Sequence, residues 1–406
     1  MAKVCVLGVD AAKGKSTVCL IDEYGEVLLS PEDVAHTRKD LDDLDEKLKK
    51  AGRKEDMKVV MEATGIYHWP VFDYLEKKGY FISVINPLKM KLFSRTCNFR
   101  GVKTDKSDSR IIALYGITNY GFLKRSRRET DIREKLRRLS RAYVSYQKSK
   151  IELVQNLDQE LEKMMPGIKK LIISDDKLYD FTEYFLHFDN ISGLSERKFM
   201  ERFERFSKKK NHRSHSCTPV KIYQLAKSAI PTIPFDDVSR FTLISLISSI
   251  RTINEGLKNI ISAMNSLAKS LPEYDTVMAM SGVGGILGPL IIAEIGDIRT
   301  YRNKKSLVCA AGIDVPPYES GQFKATRRTI TKKGNKYLRR HLYLVMRSIL
   351  QSKPEKDPAV YEFMVRKKEE NKYPKQVKVA GMRKFLHIYY ARVKQSYIEA
   401  GIWNME

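Results

Sequence analysis

Residues 3–22 read KVCVLGVDAAKGKSTVCLID. Two apolar runs flank a Lys-Gly-Lys turn, and a third, GEVLLS at 25–30, follows an EYG turn, so three short strands are predicted in succession, the last two as a hairpin. Asp10 closes the first run. A carboxylate ending an otherwise apolar strand is costly unless it has a ligand. Outward from there, TRKDLDDLDEKLKKA (37–51) places Leu41, Leu44 and Leu48 at helical spacing. MKVVMEATG (57–65) is an apolar strand ending on Glu62 before a Gly turn. VFDYLEKKG (71–79) is a short helix closed by Gly79, and FISVINP (81–87) a strand stopped by Pro87.

Three strands, then helix, strand, helix, strand is the order expected of a ribonuclease-H-like α/β domain. Phosphodiester chemistry with two metal ions needs carboxylates that hard cations can share, and this order supplies them. Asp10 ends the first strand and Glu62 the fourth. Asp105 and Asp108, in KTDKSDSRIIALYG (103–116), stand three apart at a helix start and share its first turn. Taken singly, Asp105 or Asp108 reads as a helix N-cap and Asp10 as a turn residue. All four in this order read as one site. Asp22, Asp42, Asp43 and Asp45 fall in turns or on a solvated helix face.

The 406 residues carry 74 Lys+Arg against 49 Asp+Glu, a net charge of +25, with 42% hydrophobic residues. That apolar fraction fills real cores and excludes a disordered basic chain. The charge points to a polyanionic partner, nucleic acid before membrane. Its distribution is uneven: residues 1–85 hold 13 basic and 16 acidic side chains, so the excess lies downstream. No run approaches the roughly 20 apolar residues of a membrane span, and the first residues read into a strand instead of a signal peptide, so a cytoplasmic protein is expected. The five cysteines lack CxxC spacing and predict neither a disulfide framework nor a zinc site.

Three domains are expected: 1–125 α/β, 126–270 helical, and 271–406 mainly helical. Residues 131–165 place Ile132, Leu136, Leu139, Val144, Ile151, Val154, Leu157 and Leu161 on a long helix, a coiled-coil arm or spacer to which 238–270 returns antiparallel. Shorter helices surround the basic tract KKKNHRSHSC (208–217), whose His212, His215 and Cys217 read as solvated or phosphate-facing instead of metal-binding. SGVGGILGP (281–289) resembles a helix-hairpin-helix element, with Gly282, Gly284 and Gly285 opening the backbone to a DNA phosphate. Downstream, Ser320 lies in Tyr318-Glu319-Ser320-Gly321, flanked by Arg327, Arg328, Lys332, Lys333, Arg339 and Arg340. These basic residues are candidate nucleic-acid contacts. An isolated serine in such a Gly turn reads as an ordinary surface residue.

The segments GVDAAKGKSTVCLID, MEATGIYHWP, SVINPLKMK, KTDKSDSRIIA, GPLIIAEIGDIRTYRNKKSLVCAAGI, YESG and TKKGNKYLRR together resemble the DEDD transposases of bacterial insertion sequences, bridge-RNA-guided recombinases related to Piv-type DNA invertases. The resemblance covers roughly 1–170 and 270–400. It implies a RuvC-like domain whose Asp10, Glu62, Asp105 and Asp108 hold Mg²⁺, and a C-terminal transposase domain whose Ser320 is the nucleophile that forms a phosphoserine intermediate. It further implies double-stranded donor and target DNA, a structured guide RNA that pairs with both, and a homodimer assembling to a tetramer, with nucleoid association and no membrane. The absence of a zinc finger or bZIP-like basic region fits a protein that leaves sequence reading to RNA. The alternatives are a Piv-type invertase or a RuvC-like Holliday-junction nuclease without guide RNA, or a nucleic-acid-binding protein that has lost catalysis. The strand–Asp–hairpin start alone also fits a sugar or acetate kinase, which the net charge and the lack of a second Gly-rich phosphate hairpin disfavour.

Overall fold

The computed structural model describes residues 4–97, 104–126, 131–212, 217–317, 319–320, 323–324 and 329–403. The chain divides into two compact units, 1–128 and 129–406.

In the first unit, β1 (Cys5–Ala11), β2 (Lys15–Asp22) and β3 (Val27–Ala35) are followed by α1 (Arg38–Ala51), β4 (Met57–Glu62), α2 (Trp69–Lys77), β5 (Phe81–Ile85), α3 (Pro87–Cys97) and α4 (Asp105–Thr118). The sheet order is β3-β2-β1-β4-β5. β1 pairs antiparallel with β2 and parallel with β4, and β4 pairs parallel with β5. The predicted strand and helix order is therefore the observed one. Period-two alternation divides each central strand between two cores. Cys5, Leu7 and Val9 pack with Leu41, Leu44 and Leu48 of α1 and Phe72 and Leu75 of α2. Val6 and Val60 pack with Ile112 on the other face, and Cys19 and Ile21 with Ala113.

The second unit is helical: α5 (Asp131–Met164), α6 (Asp175–Phe185), α7 (Asp189–Ser192), α8 (Glu196–Lys209), α9 (Cys217–Ser228), α10 (Asp237–Ala268), α11 (Tyr274–Met278), α12 (Leu287–Ile295) and α13 (Lys304–Ala311), then the two-residue strands β6 (Glu319–Ser320) and β7 (Phe323–Lys324), and α14 (Lys336–Ser352), α15 (Ala359–Glu369) and α16 (Pro374–Glu399). The long helices α5 and α10 run antiparallel. Leu136 of α5 shares a core with Met264 and Ala268 of α10, while Leu157 and Leu161 share another with Leu243, Ile247 and Ile250. The second of these cores also takes in α6 and α8, through Phe181, Phe185, Phe199, Phe203 and Phe206, and α7 and α9, through Ile191 and Ile222. The segment 171–235 thus supplies an aromatic core of its own. There His212 bonds Asp180 at 2.8 Å, and Asp180 also meets Lys210 and Arg251 at 2.9 Å each. His215 lies outside the described residues.

The C-terminal core is pinned by a buried ion pair. Arg133 donates to Glu273 at 2.5 and 3.1 Å and to the Tyr397 hydroxyl at 2.8 Å, and that hydroxyl donates to Glu273 at 2.7 Å. Burial opposes the charge on Arg133, but the Glu273 partner outweighs it and raises the guanidinium pKa. Removing one partner of such a pair leaves an uncompensated buried charge. Glu273→Gln is expected to destabilise this unit by about 3 kcal/mol, read as a lower unfolding midpoint in denaturant.

His341 on α14 is 1% exposed, and both ring nitrogens are buried without a hydrogen-bond partner. Burial, reinforced by Arg340, lowers its pKa to about 4. A depressed folded-state pKa means that the unfolded chain takes up the proton first. The stabilisation is complete above the ordinary histidine pKa of about 6.5 and is lost as pH falls towards 4. Between pH 7.5 and 4.5 this costs about 2 kcal/mol. His341→Leu should narrow the difference in Tm between those two pH values; an unchanged difference would show that His341 does not carry it.

Candidate active site

Alternation places Asp10 on the same face as Val6 and Gly8, and Glu62 on the same face as Val60. That face is covered by α4. A Cβ on Gly8 would stand 2.2 Å from the Ser109 carbonyl oxygen and 2.4 Å from the Ala113 nitrogen, so the helix backbone lies directly on the strand. A Cβ on Gly116 would stand 2.5 Å from Val6 and 2.8 Å from Val60. Since 109 and 113 sit over Gly8 and 116 over Val6, α4 runs antiparallel to β1. Its first turn, with Asp105 and Asp108, lies at the strand end that carries Asp10.

The β1/β4 register runs from Cys5↔Met57 to Val9↔Met61, so the next positions on the two strands are Asp10 and Glu62. All four carboxylates therefore belong to one rim of the sheet. Asp10, Glu62 and Asp108 are half-buried and Asp105 is exposed. The helix cap is Thr104, whose hydroxyl accepts from the Ser107 N–H at 3.2 Å, so neither aspartate serves as the N-cap. Among the described residues no three His, Cys, Asp or Glu side chains stand close enough to hold a metal ion. The carboxylates share a rim without closing into a ligand shell. As an all-oxygen donor set they fit a hard divalent cation.

A polar ladder borders this rim that the sequence reading did not single out. Lys15 donates to Asp33 at 2.6 Å and Thr17 to the other oxygen of Asp33 at 2.7 Å. The hydrogen bond to Asp33, and more weakly the nearby charge of Asp105, raise the Lys15 pKa; Lys15 and then Thr17 hold Asp33 below the usual carboxylate range. The pairing is across strands and only the fold creates it. Asp22 instead accepts the N–H groups of Tyr24 and Glu26, the turn role expected of it.

Ser320 belongs to the second unit. In the β6/β7 ladder it stands opposite Phe323, and Glu319 opposite Lys324. The loop carrying this hairpin leaves α13 at Gly312, which adopts φ +64°. Its feet are clamped together. Thr331 N–H donates to Asp314 O at 3.0 Å, Lys332 N–H to Gly312 O at 3.0 Å, and Asn335 N–H to Ala310 O at 2.7 Å. The Thr331 hydroxyl donates to the Asp314 carboxylate at 2.6 Å.

The basic flank divides by role. Arg339 turns inward and donates to Ala311 O at 2.9 Å and Gly334 O at 3.2 Å, so it braces the clamp. Lys332, Lys333 and Arg340 are exposed. Arg327 and Arg328 lie outside the described residues. The glycines divide too. Gly282, at φ +75°, packs so closely that a Cβ would stand 2.3 Å from Ile349, whereas Gly284 and Gly285 face open space.

Two family models match the chain. A DEDD transposase model of the IS110 type matches residues 7–166, and the model described as transposase IS116/IS110/IS902 family matches 274–362. Pilin gene-inverting proteins of Moraxella lacunata and Moraxella bovis are each 22% identical over 343 residues, covering 83% of this chain and 80% of the relative. An uncharacterized 44.8 kDa protein of insertion element IS116 from Streptomyces clavuligerus is 19% identical over 319 residues, 78% of this chain and 77% of the relative. The family implies DNA binding and a divalent metal, in keeping with the all-oxygen rim and the net charge of +25. Among the described residues no helix is long and apolar enough to cross a membrane. With both family models matching in the expected order, and the four carboxylates on one sheet rim of the first unit, the chain belongs to the IS110 family of insertion-sequence transposases and is a DNA transposase/recombinase.

Proposed function

We propose that this transposase cleaves and exchanges DNA strands under the direction of a structured guide RNA, using the carboxylate rim and Ser320 as two halves of its chemistry. The convergence of Asp10, Glu62, Asp105 and Asp108 on one sheet rim carries this reading. These four residues would hold Mg²⁺, which when bound neutralises charge developing on the phosphate under attack. The Ser320 Oγ attacks phosphorus, the bond from phosphorus to the departing sugar oxygen breaks, and the serine proton is released as that oxygen is protonated. A phosphoserine conserves the bond energy until the sugar hydroxyl of another strand attacks and frees the serine. Gly284 and Gly285, on open surface between α11 and α12, suit a helix-hairpin-helix contact to duplex backbone. Strand exchange calls for a dimer assembling to a tetramer, which the antiparallel α5/α10 pair suits as a coiled-coil surface.

Ser320→Ala is expected to abolish the covalent protein–DNA adduct and strand exchange in a reconstituted assay, while the thermal unfolding midpoint stays within about 2 °C. Exchange at the wild-type rate would overturn the serine reading. The pilin gene-inverting relatives favour a second reading, site-specific inversion without a guide. Protein freed of RNA by nuclease decides between them: exchange on DNA alone supports inversion, and restoration only by added element RNA supports guidance.

A further inference from the structure

A cavity of about 370 Å³ opens in the second unit at the feet of the Ser320 loop, where Ala310 of α13 meets Asn335 at the start of α14. Its floor is Glu294, 3% exposed. One Glu294 oxygen accepts from the Ser140 hydroxyl at 2.8 Å and the other from the Asn335 amide at 2.7 Å, so neutral donors occupy both. The Asn335 side-chain oxygen Oδ1 in turn accepts the N–H groups of Tyr337 and Leu338. The floor is thereby locked to the start of α14 and, through Asn335 N–H, to Ala310 at the end of α13.

The walls are cationic. Arg137 and Arg141 stand one turn apart on α5 and share a face, and Lys336 faces in from α14. Tyr337 lies between them, with the Arg141 guanidinium 5.2 Å and the Lys336 ammonium 5.2 Å from its ring. With the one buried carboxylate satisfied by neutral donors, the exposed Arg141 and Lys336 leave the water-accessible pocket net positive. Planar guanidinium forks beside an ammonium and an aromatic ring suit a phosphate with its sugar against the ring.

From this cavity we infer a subsite for a backbone phosphodiester of the DNA strand that Ser320 attacks, held by Arg141 and Lys336. The choice of DNA rests on the serine reading above, because the cavity sits where the serine loop leaves the helices. Glu294 is a positioning residue that fixes Asn335 and the floor. The pocket sets neutral donors, and not cations, against Glu294, so neither Arg141 nor Lys336 is tied to the floor.

The test uses the full-length protein and duplexes of the element's end carrying one methylphosphonate at successive positions around the cleavage site. Wild-type affinity should fall about tenfold at one position, the loss of a charge-assisted contact. Arg141→Ala with Lys336→Ala should bind unmodified duplex about tenfold more weakly, lose sensitivity at that position, and lower the log–log salt slope by about 0.9 for the phosphate given up. Both side chains are exposed, so the variant should keep its Tm. Equal sensitivity of wild type and variant at every position overturns the subsite. So does a loss confined to RNA binding, or saturation by inorganic phosphate that leaves DNA affinity unchanged. None of these readouts needs the serine. If Ser320→Ala cleaves normally while the position-specific loss persists, the serine reading fails and the phosphate site stands.

Discussion

Asp10→Asn in the full-length protein should reduce DNA strand cleavage by roughly 10³-fold or more, while duplex affinity changes by less than about twofold. The substitution keeps the side chain's shape at the end of β1 and removes one charge from the rim shared with Glu62, Asp105 and Asp108. On the proposed function phosphate binding draws on basic side chains elsewhere and should be spared. On that proposal the residues that hold the strand and those that lower the barrier are separate, so the variant separates the two measurements. Cleavage would be followed on labelled duplex and binding by a salt titration of the same preparation. Cleavage at a tenth of the wild-type rate or better would remove Asp10 from the catalytic machinery. Loss of cleavage and binding together, with a lowered Tm, would assign it a folding role.

Gly8→Ala should be the most damaging single-methyl change in the first unit, destabilising it by about 3 kcal/mol or more. Overpacking is tolerable when the clash is with the end of a flexible side chain, but here the new Cβ meets backbone: the Ser109 oxygen at 2.2 Å and the Ala113 nitrogen at 2.4 Å. No rotamer change relieves that, so α4 must lift off β1. Because Asp105 and Asp108 ride on the first turn of the same helix, cleavage should fall with stability even at temperatures where the variant is folded. An unfolding midpoint within about 1 °C of wild type, measured by calorimetry, would show that α4 does not seat on Gly8.

Much of the first unit was legible in order along the chain, because period-two alternation and Gly or Pro stops are local signals. Strands ending on Asp10 and Glu62, and a helix opening with Asp105 and Asp108, can be read from apolar runs that stop at a carboxylate. The capping role was misassignable from sequence. Asp105 and Asp108 fit an N-cap as well as Thr104 does, and only backbone dihedrals and the Thr104–Ser107 hydrogen bond choose among them. Gly8 gave no signal, since a glycine in a strand looks like a weakness until a helix is laid across it. Arg339 looked like its basic neighbours, and its inward turn depends on two carbonyls that the clamp brings within reach.

By itself the sequence determined the partner class, the strand order and which carboxylates end which elements, since charge, alternation and helix starts are carried by neighbouring residues. Only the tertiary structure decided that α4 runs antiparallel to β1 and so delivers Asp105 and Asp108 to the Asp10 end. It alone set Asp33 beside Lys15 and built a cationic cavity from α5 and α14 at the feet of the serine loop. Those arrangements join residues as far apart in the chain as Arg137 and Leu338. Contacts of that range are fixed by the packing of whole elements, for which no local stretch of sequence holds a signal.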